Sequence, residues 1–255
     1  MVAGFAAFAQ EPFTVGQEAF DPKGSHIQGI AASQEALYLS QDCRIVKVDW
    51  AGKEIAHIDT PVHTGDICWY EGELYVSLAL PTEAGGPMSD PTSGVGKIQV
   101  FDPALNLVRE AWVDRRTDGI AALNGVLYVG MGSATQPSKM PHRRNVLGRF
   151  DARTLEEIAP RAEFDYGYET KYGFQNIVVS EGLLYASFYS VSGSPQIAIF
   201  DADLKVIGTR FLKANQGLDV LPETIAGRKG LFIKAKSSKT SDPAGVSCTL
   251  DFWEP

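Results

Sequence analysis

The chain has 255 residues, 44% hydrophobic and 21% charged, and 23 Lys+Arg against 31 Asp+Glu give it a net charge of −8. This is the composition of a globular chain with ample core material, and it excludes a disordered chain or a coiled coil. The acidic balance argues against a nucleic-acid partner, which needs clustered cations, and no apolar run reaches the roughly 18 residues of a membrane span.

Residues 1–10 are apolar and carry Ala7-Phe8-Ala9, a pattern like a signal-cleavage site. They are expected to be an N-terminal arm or a signal remnant, which points to a secreted or periplasmic protein. Phe13–Phe20 follows as a strand with no hairpin partner beside it. Four copies of one pattern then run along the chain: Ile30 to Leu37-Tyr38, Ile67 to Leu74-Tyr75, Ile120 to Leu127-Tyr128 and Ile177 to Leu184-Tyr185. In each, the Leu stands seven positions after the Ile. Each reads as a strand, a tight turn such as Glu71-Gly72 or Asn124-Gly125, and a second strand. A fifth copy is read from Val220 to Leu231-Phe232-Ile233, with a longer turn. A third strand closes every copy on an apolar residue and Asp: Val48-Asp49, Phe101-Asp102, Phe150-Asp151, Phe200-Asp201 and Leu250-Asp251. These aspartates read as turn openers that accept backbone N–H bonds. Fourth strands are expected around 53–59, 107–113, 155–164 and 204–211.

Five copies of a four-stranded antiparallel unit predict an all-β fold, a five-bladed β-propeller. The last copy lacks a fourth strand, so residues 13–20 are expected to complete it and close the ring. The domain is 11–255, with blades at about 26–60, 61–114, 115–165, 166–213 and 214–255. Cys43, Cys68 and Cys248 are an odd set without a CxxC spacing and read as free thiols.

The loops joining second and third strands vary most in length, so the face that carries them is the expected place for function. The innermost strands bring polar residues to that end. Four positions before the repeat residue stand His26, His63, Arg116, Gly173 and Gln216. Two before stand Gln28, Gly65, Asp118, Gln175 and Leu218, and one before stand Gly29, Asp66, Gly119, Asn176 and Asp219. Two of four histidines share one repeat position in adjacent blades. Three readings follow. His26 or His63 serves as a general acid or base held by Asp66 or Asp118. Alternatively, His26, His63 and Asp118 hold a divalent metal, with Gln28 nearby. In the third, these groups satisfy buried backbone. Gln28, Arg116, Lys171, Gln175 and Tyr189 are the expected substrate contacts. Tyr168, Tyr172, Phe174 and Phe188 are candidates for an aromatic wall, and Lys139, His142, Arg143 and Arg144 for an anion contact. Loop 78–95 resembles a lid. No GxSxG, P-loop or dinucleotide motif is present, which disfavours esterase, phosphoryl-transfer and hydride-transfer chemistry.

His26-Ile27-Gln28-Gly29-Ile30, followed by a Leu-Tyr strand, is similar to the first-blade F-T-Q-G-L of the plant-type glutaminyl cyclase family, which has bacterial members. The resemblance implies a compact five-bladed propeller with an acid/base pocket on one face and Gln28 as a substrate contact. The family's catalytic motif is not matched. Gly65 stands where the second-blade F-G-E-G-L places Glu, and Asp66 follows one residue later.

The sequence therefore points to a soluble enzyme of the lyase, hydrolase or cyclase type with one small-molecule or sugar site at the channel mouth. The alternative is a non-catalytic propeller that binds ligands in the manner of a lectin or docks proteins. No cofactor is required, a metal being the alternative. Nucleic acid and membrane are not expected partners, and the chain is expected to be a monomer.

Overall fold

The computed structural model describes residues 13–15, 19–20, 26–60, 63–81, 94–131, 141, 143–165, 167–191, 193–214, 217–239 and 246–254. The expected arm 1–10, most of the lid-like loop, Lys139, His142 and Gln216 lie outside these residues.

Five four-stranded antiparallel sheets form the blades. Strand β1 (Phe13–Val15) comes first. Blade one holds β2 (Ile27–Ala32), β3 (Leu37–Gln41), β4 (Arg44–Val48) and β5 (Glu54–Asp59). Blade two holds β6 (Thr64–Tyr70), β7 (Glu73–Pro81), β8 (Gly94–Phe101) and β9 (Leu107–Val113). Blade three holds β10 (Thr117–Leu123), β11 (Val126–Met131), β12 (Asn145–Asp151) and β13 (Ala162–Phe164). Blade four holds β14 (Thr170–Ser180), β15 (Leu183–Ser190), β16 (Ile197–Phe200) and β17 (Val206–Arg210). Blade five holds β18 (Leu218–Val220), β19 (Phe232–Lys239) and β20 (Val246–Trp253), and β1 pairs with β20 to complete it. The five-bladed propeller closed by its N-terminal strand is thus the observed architecture.

The local chemistry explains the repeat. Glu71-Gly72, Asn124-Gly125 and Glu181-Gly182 all have positive φ at both turn residues, as two-residue hairpin turns require. Asp49, Asp102, Asp151 and Asp201 each accept two backbone N–H bonds through Oδ1, at 2.8–3.1 Å, and so open the turn after the third strand. The repeated Leu and Tyr of the second strand point to opposite faces. Leu74 and Tyr75, for example, belong to two different core clusters. Five such clusters each join one blade to the next, and the cluster holding Val15, Ile233 and Leu250 with Ile30, Leu37 and Val46 seals blade five to blade one.

Two expectations need correction. The fourth strand of blade three is confined to 162–164, apart from a single bridge between Phe150 and Glu157; Pro160, which lacks an N–H, interrupts the expected run. In blade five the repeat residue is Leu218, not Val220. Val220 pairs with Phe232 just as Ala32 pairs with Leu37, two residues past the repeat Ile. The third strand accordingly runs on through Asp251 to Trp253. A two-residue shift preserves side-chain parity, so alternation alone could not reveal it. The longer turn between β18 and β19 contains the short helix α1 (Glu223–Ala226), stopped by left-handed Gly227.

Candidate functional site

The corrected register places five residues at one level of the channel: Gly29, Asp66, Gly119, Asn176 and Gly217. Asp66 and Asn176 meet there, the Asn176 amide donating to Asp66 Oδ1 at 2.8 Å. Asp66 Oδ2 accepts the backbone N–H of Ile120 at 3.1 Å and of Ile177 at 2.9 Å. Asn176 also donates to the Gln28 carbonyl at 2.7 Å, and its Oδ1 accepts the Gly217 N–H at 3.0 Å. One carboxylate–amide pair thereby links all five blades. Glycine is needed beside it: a Cβ on Gly29 would lie 2.8 Å from Asp66 Cα, and one on Gly217 2.7 Å from Ile30. Asp66 is fully buried, and burial outweighs its hydrogen bonds to push its carboxyl well above the usual range.

Above this hub every described innermost strand of blades one to four carries a register irregularity just before the repeat Ile. Such bulges re-aim side chains. Serines of the second strands satisfy the carbonyls they release. Ser40 donates to Gly65 O at 2.6 Å, and Ser77 donates to the carbonyls of Asp66 and Asp118. Gly65 is packed so closely that a Cβ would lie 2.9 Å from Asp118 O, so the position that carries Glu in the resembling family is sterically closed here.

At the mouth, His63 sits between two carboxylates. Its Nδ1 is 3.3 Å from Asp42 Oδ1 and its Nε2 is 3.3 Å from Asp118 Oδ1. Arg116 grips Asp118, with Nε 3.1 Å from Oδ2 and Nη2 3.1 Å from Oδ1, and Nη2 also lies 3.1 Å from His63 Nε2. Gln28 donates its amide to Asp42 Oδ1 at 2.7 Å. The Asp118 side chain is 9% exposed and the Asp42 side chain 29%, so Asp118 anchors the ring from within while Asp42 faces outward. Burial and the nearby Arg116 charge work to lower the His63 pKa, but the hydrogen bonds to Asp118 and Asp42 and the Asp118 charge overcome them and raise the value to about 9. Burial likewise works to raise Asp118, and Arg116 and His63 together hold it below the ordinary carboxylate range. His63 also has φ 59°, a left-handed conformation uncommon for a residue outside a turn.

Of the residues singled out by sequence, the structure joins His63, Asp118, Arg116 and Gln28 in one network, with Asp66 below it in the hub. His26 is half-buried just before β2. Asp118 lies against a ring nitrogen of His63 rather than converging with it on a shared point. Among the described residues, no group of three or more His, Cys, Asp or Glu is arranged to hold a metal ion. Lys171 pairs across strands with Tyr189, whose ring meets Tyr172 edge-on at 5.3 Å, all at the mouth end of β14 and β15. Gln175 is half-buried, its amide 3.4 Å from the Phe174 carbonyl. Phe174 and Phe188 are core residues packed on each other at 5.0 Å, not part of a wall. Arg143 and Arg144 are exposed, and Arg143 pairs with Asp165. Asp42 was missed by sequence. Its signal was the brevity of the first blade's second-to-third loop, which leaves residue 42 at the tip of a two-residue turn beside the axis.

No protein-family model and no curated protein sequence matches the chain. Solved structures share its fold. Glutaminyl cyclase of Myxococcus xanthus matches with a TM-score of 0.61 and 11% identity, over 95% of this chain and 94% of that one. A GH43_1 enzyme of Xanthomonas citri in complex with xylose matches at TM-score 0.55 and 13% identity, over 90% of each chain. A gluconolactonase of Xanthomonas campestris matches at TM-score 0.50 and 15% identity, over 89% and 72%. The architectural resemblance to the glutaminyl cyclases therefore holds, and enzymes are among the proteins that share this propeller.

Proposed function

We propose that the protein is an enzyme with one small-molecule site at the channel mouth, where Asp42 and His63 act as a paired base and acid. The observation that carries this reading is the imidazole of His63 held between an inner, Arg116-clamped Asp118 and an outer, more exposed Asp42. With its pKa raised to about 9, His63 is an imidazolium at neutral pH and carries a proton to donate. Asp42, 3.3 Å from Nδ1, is the acceptor that takes one. Asp118 and Arg116 fix the ring, as the third member of a catalytic triad fixes its histidine. Asp66, enclosed in the hub, serves to position the strands. Such a pair suits hydrolytic, eliminative or cyclising reactions, in which one oxygen or nitrogen loses a proton while another gains one.

The fold neighbours supply the first chemistries to try: an N-terminal glutaminyl peptide, an aryl xyloside and gluconolactone. Wild type is compared with His63→Gln and Asp42→Asn on each. A turnover that falls about 10²–10⁴-fold in both variants supports the reading. A turnover that survives both substitutions contradicts it. A ligand that binds at the mouth and is released unchanged would instead identify a non-catalytic receptor.

A further inference from the structure

The hub fixes what stands opposite His63. Asp66 and Asn176 touch across the axis at 2.8 Å, so β6 and β14 face each other there. His63 lies three residues before Asp66, and Lys171 and Tyr172 lie five and four residues before Asn176. The bulges shorten the climb: Lys171 pairs with Tyr189, two residues above Ser187, the partner of Asn176, and the His63 carbonyl accepts the Ala79 N–H, two residues above Ser77 beside Asp66. At about 3.3 Å per strand residue, both sets stand roughly 7 Å above the hub, on facing walls of one mouth. Tyr172 shares a feature with His63: φ 65°, a left-handed conformation outside the hairpin turns, followed by Gly173 at φ 74°. Strain of this kind persists where the surrounding structure over-determines it, and it collects at binding sites. Here it occurs on two sides of the same opening.

The charges at the mouth are unequal. His63 and Arg116 are balanced by Asp42 and Asp118 within one network. Lys171 is half-buried and has no ion-pair partner among the described residues, although the chain as a whole carries −8. A partly desolvated ammonium favours an anionic partner. Beside it, the Tyr172–Tyr189 pair offers ring faces, and Gln28, Asp42 and Gln175 offer hydrogen bonds to hydroxyls.

Building on the proposed acid/base site, we infer that its ligand is a sugar acid, a hydroxylated ring bearing a carboxylate. Its carboxylate meets Lys171, its ring lies on Tyr172 and Tyr189, and its hydroxyls reach Asp42 and His63. A neutral sugar leaves Lys171 unpaired, and an aromatic acid leaves the polar groups around Asp42 without partners.

The test is binding of matched pairs, D-glucuronate against D-glucose and D-galacturonate against D-galactose. Binding is followed by ligand-observed NMR on the full-length protein and on its Lys171→Met and His63→Gln variants. The inference predicts that at least one acid binds wild type about 10-fold or more tightly than its neutral partner, and that Lys171→Met removes this advantage. Lys171→Arg, which keeps the charge, retains most of it. If neutral sugars bind as well as acids and lose binding in His63→Gln, the sugar-acid inference fails and the mouth site stands. Acids that bind wild type and both variants equally overturn the inference and the mouth site together. Absence of binding by all four sugars overturns the inference.

Discussion

Removing the Asp66 carboxylate tests whether one buried pair joins the five blades. In Asp66→Ala three donors lose their acceptor: the N–H groups of Ile120 and Ile177 and the Asn176 amide. Each buried donor left unsatisfied costs about 1–3 kcal/mol. Relief of the desolvated carboxylate and entry of water into the polar gap offset part of this, leaving about 4 kcal/mol. That is a large fraction of the roughly 5–15 kcal/mol that holds a domain folded. Asp66→Asn keeps one oxygen for the two backbone donors but turns its NH2 towards the NH2 of Asn176. Asn176 cannot flip in response without facing its oxygen to the Gln28 carbonyl and its NH2 to the Gly217 N–H. One donor–donor conflict should cost about 2 kcal/mol. Urea unfolding followed by tryptophan fluorescence, with the m-value checked for constancy, measures both variants. A loss below about 1 kcal/mol for Asp66→Ala, or a greater loss for Asp66→Asn than for Asp66→Ala, would refute the hub.

Gly29→Ala should cost about 3 kcal/mol, because its Cβ meets the Asp66 backbone at 2.8 Å. Gly72→Ala, in open space at φ +86°, should cost only about 1 kcal/mol in the same unfolding assay. Burial raises Asp219 to about 7, so the folded state holds this proton to higher pH than the unfolded chain. The resulting stabilisation is full below about pH 4 and lost as pH rises through 7, and Asp219→Asn should flatten the melting temperature over that window. His63 has the same sign at higher pH. Its stabilisation is full below about 6.5 and lost through about 9, and melting curves of His63→Gln against wild type across that interval should converge at the alkaline end.

The repeat was legible because each blade repeats the same physical problem: a Leu for one neighbouring blade, a Tyr for the next, and an Asp to open the turn. These demands leave fixed spacings that a reader can count. The site was legible only in part. His63, Arg116 and Asp118 share the rim of two adjacent innermost strands, so repeat position alone brought them together. Asp66 was singled out for its charge, but its place in the hub depends on Asn176, 110 residues away, and on bulges that alternation does not report. Asn176 has the same repeat position as Asp66, so their meeting could have been anticipated. The blade-five shift concealed the pattern by placing Asp219, rather than Gly217, at that level. Asp42 reaches the mouth from a turn whose only mark in the sequence is its shortness.

The most direct test of the mouth site is the titration of His63 itself, read from its ring Cε1–H resonance by NMR and assigned by its loss in His63→Gln. Two carboxylates at 3.3 Å should hold the imidazolium to a pKa of about 9, well above the ordinary imidazole value near 6.5. A value at or below 6.5 would mean that Asp42 and Asp118 do not grip the ring in solution, and would contradict the acid/base pair on which the proposed function rests.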